Sequence, residues 1–142
     1  MCKVRFEFDE DWKDDLVDLQ GKVVLLGKNG TAIIESCTNI DSFLAALSKI
    51  ALALRESAEA RPRIDLTQEP DPLCGNIVSN GEVELTYGRQ LVLFPNLTQF
   101  ESQLQLAVKA FTEYLPLRGI GDRASMETLN QFLELGESQA ES

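Results

Sequence analysis

Two tracts of this chain, about 60 residues apart, read alike. Each is an apolar run, a tight turn, a second apolar run, a helix cap and an amphipathic helix. The first is Val23-Val24-Leu25-Leu26, a turn at Lys28-Asn29-Gly30, Thr31-Ala32-Ile33-Ile34, then a helix over 38–55. The second is Val83 to Tyr87, a turn at Gly88-Arg89, Leu91-Val92-Leu93-Phe94, then a helix over 98–115. Along the helices Thr38 matches Thr98, Ile40 Phe100, Asp41 Glu101, Leu44 Leu104 and Ala51 Phe111. A strand-strand-helix unit met twice predicts an α+β fold, with an antiparallel sheet of about five strands and helices on one face. On this reading residues 1–136 form a single domain, with repeat one at about 22–55, a linker at 56–80 and repeat two at about 82–115. A C-terminal helix and a frayed tail at 137–142 complete it. A ferredoxin-like arrangement of the first part is the competing topology.

Local chemistry supports each element. Lys3 to Phe8 alternates apolar and charged residues, the period of a strand with one buried face. Asp9 can cap a short helix reaching about Leu19, with Trp12, Leu16 and Leu19 on one side. Asn29-Gly30 tolerates the positive φ that primed hairpin turns demand. Val23–Leu26 is apolar without alternation, which points to burial on both faces. Thr38-x-x-Asp41 and Thr98-x-x-Glu101 resemble capping boxes. Pro116 ends the second helix, and Gly136 is expected to end a third that starts near Ser125. Residues 55–76, with Pro62, Pro70 and Pro72, read as a linker with a short strand near Arg63–Leu66 as its one candidate element.

The charge narrows the function. The chain carries 23 acidic against 13 basic side chains, a net charge of −10. Residues 1–20 hold seven of the acids against three bases. Such a surface repels nucleic acid and anionic membranes, since phosphate binding needs Lys and Arg. No apolar run approaches the length of a membrane span. No basic-then-apolar leader stands at Met1, and Cys2, Cys37 and Cys74 are odd in number, so a cytoplasmic chain with reduced thiols is expected. Histidine is absent, which closes the commonest routes of acid–base and nucleophilic catalysis and of metal ligation.

The motifs fare no better. Gly119-x-Gly121-x-x-Ala124 matches a dinucleotide fingerprint but follows a helix and Pro116 instead of a strand, so a turn into the last helix is the expectation. Cys37, beside a helix start, is expected buried and inert, and Cys74 the better exposed thiol. Glu7 to Asp18 lacks the spacing of a calcium loop, because Lys13 stands where the third ligand belongs. Asn29-x-Thr31 and Asn96-x-Thr98 match glycosylation acceptors and mean nothing without secretion.

The expected function is therefore a non-catalytic, acidic protein-binding module of adaptor, inhibitor or immunity type, with no cofactor and no metal. The alternative is a small-molecule-binding or regulatory domain with a cleft between sheet and helices. A cysteine- or carboxylate-dependent enzyme ranks last. The expected partner is another protein, a basic one in particular, and a homodimer is left open. The candidate docking residues are Asp11, Asp14, Asp15 and Asp18 around Trp12 as an aromatic anchor; the competing and favoured reading is a solvated acidic helix whose Trp12 packs with Leu16 and Leu19 into the core. An association steered by that segment weakens as salt rises, because exposed charges are screened beyond about 8 Å at physiological ionic strength. Reversing the four aspartates to Lys is expected to slow association, measured by stopped-flow, while the melting temperature holds.

Overall fold

The computed structural model describes residues 2–8, 20–66, 69–114 and 123–140. In chain order it has β1 (Lys3–Phe8), β2 (Gln20–Leu26), β3 (Ala32–Asn39), α1 (Ile40–Glu56), β4 (Arg63–Ile64), β5 (Leu73–Ile77), β6 (Val83–Tyr87), β7 (Gln90–Phe94), α2 (Leu97–Tyr114) and α3 (Arg123–Ala140). The class is α+β, as expected. The sheet has seven strands instead of about five, in the order β1-β2-β3-β7-β6-β5-β4, with every neighbouring pair antiparallel.

The hairpin turns follow from their residues. Asn29 and Gly30 both adopt positive φ, at 58° and 74°, and the Thr31 amide donates to the Lys28 carbonyl at 3.1 Å. That is the primed turn whose twist matches the strands it joins. Between β6 and β7 the positive φ is at Gly88 alone, at 60°, the first of the two turn residues Gly88-Arg89.

The two additional strands lie in the stretch read as a linker: β4 falls at the candidate strand near Arg63–Leu66, and β5 is the one the sequence does not signal. Pro72, Gly75 and Asn76 disguise β5, because Gly and Asn are poor strand formers. Gly75 is there for packing. A Cβ at that position would stand 2.6 Å from Cγ2 of Ile50, so its absence lets α1 settle onto β5.

The helices occupy one face of the sheet and cross over it. α1 packs on β5, β2, β4 and β3, and α2 on β1 and β7. Phe43 of α1 meets Tyr87 of β6 edge to face at 5.5 Å. Phe111 of α2 meets Phe6 of β1 edge to face at 5.5 Å and stacks on Phe8 at 6.0 Å. Such aromatic geometries add to simple area burial. Ile40, Leu44, Phe100, Leu104 and Phe111 are fully buried, and Ala51 nearly so, as their helical spacing requires. α3 lies against α1 and α2 through Leu129 and Phe132, and Gln105 of α2 donates to the Phe132 carbonyl at 2.6 Å.

The helix starts differ from the capping-box reading. Thr38 belongs to β3, and the N-cap of α1 is Asn39. At α2 the cap is Asn96, whose Oδ1 accepts the Gln99 amide at 2.8 Å, while Thr98 is already helical. Asn competes with Thr for this role and outranks it. Ile40 and Leu97, each following its Asn, lie 57 positions apart, which sets buried Phe43 against Phe100, Leu47 against Leu104 and Leu54 against Phe111. α3 runs through Gly136, expected to stop it, as far as Ala140, so 137–140 are helical and not frayed. A glycine inside a helix costs only about 1 kcal/mol relative to alanine. The short helix expected at 9–19 and most of the glycine motif at 119–124 lie outside the described residues.

Leu44→Ala or Leu104→Ala is expected to cost about 2–5 kcal/mol in urea denaturation, the range for a buried leucine. Glu101, at the start of α2, pairs with Arg55 at 3.9 Å; burial raises its pKa, and the arginine only partly opposes this. The folded state therefore holds this proton more tightly than the unfolded chain. Glu101 contributes stability below the unfolded value of about 4.5, and that contribution is lost as pH rises through the folded value. Glu101→Gln is expected to flatten the melting temperature over that acidic window and to leave the protein no less stable at pH 7.

Candidate functional site

α1, α2 and α3 sit on one side of the sheet, and among the described residues the other side carries no helix. Register identifies what it presents. One row crosses all seven strands: Lys3, Leu26, Ala32, Leu91, Thr86, Cys74 and Arg63. Beside it Arg5 stands opposite Val24, and Val24 opposite Ile34. On the other flank Leu93 stands opposite Glu84. The centre of this open face is thus apolar across β2, β3 and β7, built from Val24, Leu26, Ala32, Ile34, Leu91 and Leu93. Ile34 and Leu91 are 45% and 37% exposed, well outside the core.

At the β1–β2 corner the face dips into a hollow of about 280 Å³ lined by Arg5, Phe6, Glu7, Lys22 and Val24. Glu7 and Lys22 are opposite each other in the ladder, the favourable arrangement for unlike charges.

The joint at the middle of the face is unusual. Between β3 and β7 the backbone ladder has one register pair, Ala32 with Leu91. Side chains extend it. The Gln90 amide accepts from the Ile34 N–H at 2.7 Å and donates to the Ile34 carbonyl at 3.1 Å, mimicking a peptide unit. Thr31 Oγ1 accepts the Leu93 amide at 3.0 Å. On the helix side the Tyr87 hydroxyl donates to Glu35 Oε2 at 2.7 Å. Burial, and then that carboxylate, push the tyrosine pKa far up, so the phenol stays a donor at every physiological pH.

A second concavity, of about 380 Å³, lies between α1, the end of β4 and the start of α3. Asn39, Ser42, Lys49, Asp65 and Ser125 supply its polar lining, with Ala45, Ala46, Ile64 and Leu66 between them. Asn39 Oδ1 is buried there without a hydrogen-bond partner.

The docking residues expected from sequence, Asp11, Trp12, Asp14, Asp15 and Asp18, lie outside the described residues. The thiols are the reverse of expectation. Cys37 is exposed and Cys74 half-buried. The register shift between Gly21 and Val23 sets Thr38 and Glu35 as their respective partners, so Ser36 and Cys37 bulge outward. Among the described residues no cluster of three or more Cys, Asp or Glu could hold a metal ion, and no helix is long and apolar enough to cross a membrane.

The open face escaped the sequence reading because Val23–Leu26 is apolar throughout and reads as buried on both sides. Its one sequence signal lies in the neighbours: Lys3-Arg5-Glu7 and Glu84-Thr86 alternate and show which parity faces out. Comparison with protein-family models, with curated proteins and with solved structures found no match.

Tyr87→Phe removes the donor to Glu35 Oε2 at the β3–β7 joint, while Oε1 keeps the Cys37 amide. The expected cost is about 1.5–3 kcal/mol, the worth of a hydrogen bond to a charged group, read by chemical denaturation.

Proposed function

We propose that this chain is a non-catalytic protein-binding module that docks its partner on the open face of the sheet. The observation that carries this reading is the apolar centre across β2, β3 and β7, with Ile34 and Leu91 exposed amid half-buried Leu26 and Leu93. Contiguous exposed apolar surface framed by polar residues is the usual mark of an interaction site, because leaving it in water forgoes roughly 25 cal/mol per Å². The frame is Lys3, Arg5, Glu7 and Lys22 on one flank and Glu84, Asn76 and Arg63 on the other. The absence of histidine from the sequence supports the same reading.

A second reading, a small-molecule domain, rests on the groove by α1 and its unpartnered Asn39 oxygen. A ligand donor meeting that oxygen would remove the penalty of leaving a buried acceptor unsatisfied.

The test compares Ile34→Glu/Leu91→Glu with a control, Leu106→Glu, which alters a 63%-exposed leucine on α2 away from the open face. The double variant is expected to lose a partner that the wild type and the control both bind, in affinity measurements on purified components. A partner lost only by the control moves the docking site to the helices. A partner kept by all three removes the open face from consideration.

A further inference from the structure

We infer that the open face takes an acidic amphipathic helix of another protein, with the helix's carboxylates at the β1–β2 corner and its apolar side chains along β2, β3 and β7. This rests on the docking reading above and adds the chemistry of the partner.

The first argument is charge. Over the whole chain acids outnumber bases 23 to 13. Among the strand residues of the open face the balance is inverted: Lys3, Arg5, Lys22 and Arg63 stand against Glu7 and Glu84. Three of the four cations lie on β1 and β2: Arg5 and Lys22 at the hollow, with Glu7, and Lys3 one row beyond Arg5. Among the described residues Lys3, Arg5 and Lys22 form no ion pair, whereas Lys28 pairs with Glu82, Arg55 with Glu101 and Arg63 with Asp65. A protein of net charge −10 that gathers unpaired cations on one corner has an electrostatic surface suited to an acidic partner there and repelled by one elsewhere. The hollow lined by Arg5, Lys22 and Val24 also holds Glu7, opposite Lys22, so two cations face one carboxylate and a partner's aspartate or glutamate would be drawn to the Arg5 side of it.

The second argument is width. The apolar strip spans three adjacent strands, and strands lie about 4.8 Å apart, so β2 and β7 are separated by about 10 Å. That is the diameter of one α-helix. One helix laid along the strip covers Leu26, Ile34, Leu91 and Leu93 and leaves its flank over Arg5 and Lys22.

The third argument concerns the competing occupant, a second copy. Two sheets related by a two-fold axis across the strands bring β1 and β2, which present Lys3, Arg5 and Lys22 against Glu7, onto the same two strands of the copy. An axis along the strands centred on the apolar strip sets them against β6 and β7, where Glu84 is the one carboxylate for three cations. Neither arrangement neutralises the corner.

The experiment uses the full chain and three synthetic helical peptides that share one apolar face and differ in their flanks: glutamate-rich, glutamine-rich and lysine-rich. Binding is read by fluorescence anisotropy at low and high salt. The glutamate-rich peptide is expected to bind about tenfold more tightly than the glutamine-rich one, as three modest exposed ion pairs allow. That advantage is expected to shrink in high salt and to vanish in Lys3→Glu/Arg5→Glu/Lys22→Glu. The lysine-rich peptide is expected to bind most weakly, and Ile34→Glu/Leu91→Glu to abolish binding of all three. If the charge-reversed protein does not fold by circular dichroism, Lys3→Gln/Arg5→Gln/Lys22→Gln carries the comparison. Equal affinities, preference for the lysine-rich peptide, or no binding of the glutamate-rich one overturns the acidic partner. If binding then still disappears in Ile34→Glu/Leu91→Glu, the docking face itself stands. Binding indifferent to that double variant overturns both. A wild-type dimer in sedimentation that the double variant dissociates assigns the face to a second copy and overturns the inference.

Discussion

The joint between β3 and β7 is the point on which the architecture turns. Three strands lie to one side of it and four to the other, and the backbone ladder across it has a single register pair. Two things hold it. Thr31, Glu35, Tyr87 and Gln90 supply side-chain hydrogen bonds where main-chain ones are missing. Above it each helix leaves its own half: α1, which follows β3, reaches β5 and β4, and α2, which follows β7, reaches β1. Parting the halves would therefore expose Ile50 over Gly75 and Phe111 over Phe6 and Phe8 together. A weak seam in the ladder is backed by a continuous core, and burying that core stabilises the joint more than the few hydrogen bonds across it do.

Placing both long helices on one face has a consequence for the other. A strand must put alternate residues on opposite sides, so a sheet that buries Val23, Leu25, Ile33, Val92 and Phe94 under helices necessarily turns Val24, Ile34, Leu91 and Leu93 the other way. Folding does not require these outward residues to be apolar. Their collection on three neighbouring strands, beside cations in an acidic chain, is what makes this face the proposed docking surface.

The groove by α1 has a different origin. Asn39 and Asn96 hold equivalent places before their helices, yet only Asn96 makes the capping bond. Asn39 follows directly from β3 into α1, and its oxygen is left buried and unmatched. An unsatisfied acceptor in a polar concavity is a local cost that the surrounding packing offsets.

The sequence by itself determined what depends on neighbours in the chain. The period of Lys3–Phe8, the positive-φ turn at Asn29-Gly30, the apolar stripes of α1 and α2, and the α+β class are all local patterns, and each survives in the structure. What it could not determine depends on residues far apart. β5 is a strand because β6 pairs with it and Ile50 needs the space above Gly75, and neither shows in Leu73–Ile77. Cys37 is outside because a register shift against β2 interrupts the alternation of β3. The open face arises the same way. Which half of a continuous apolar run meets the helices, and which meets water, is decided only when register brings Lys3, Leu26, Ala32, Leu91 and Thr86 into one row, because a strand's two faces are distinguished by what packs on them and not by their composition.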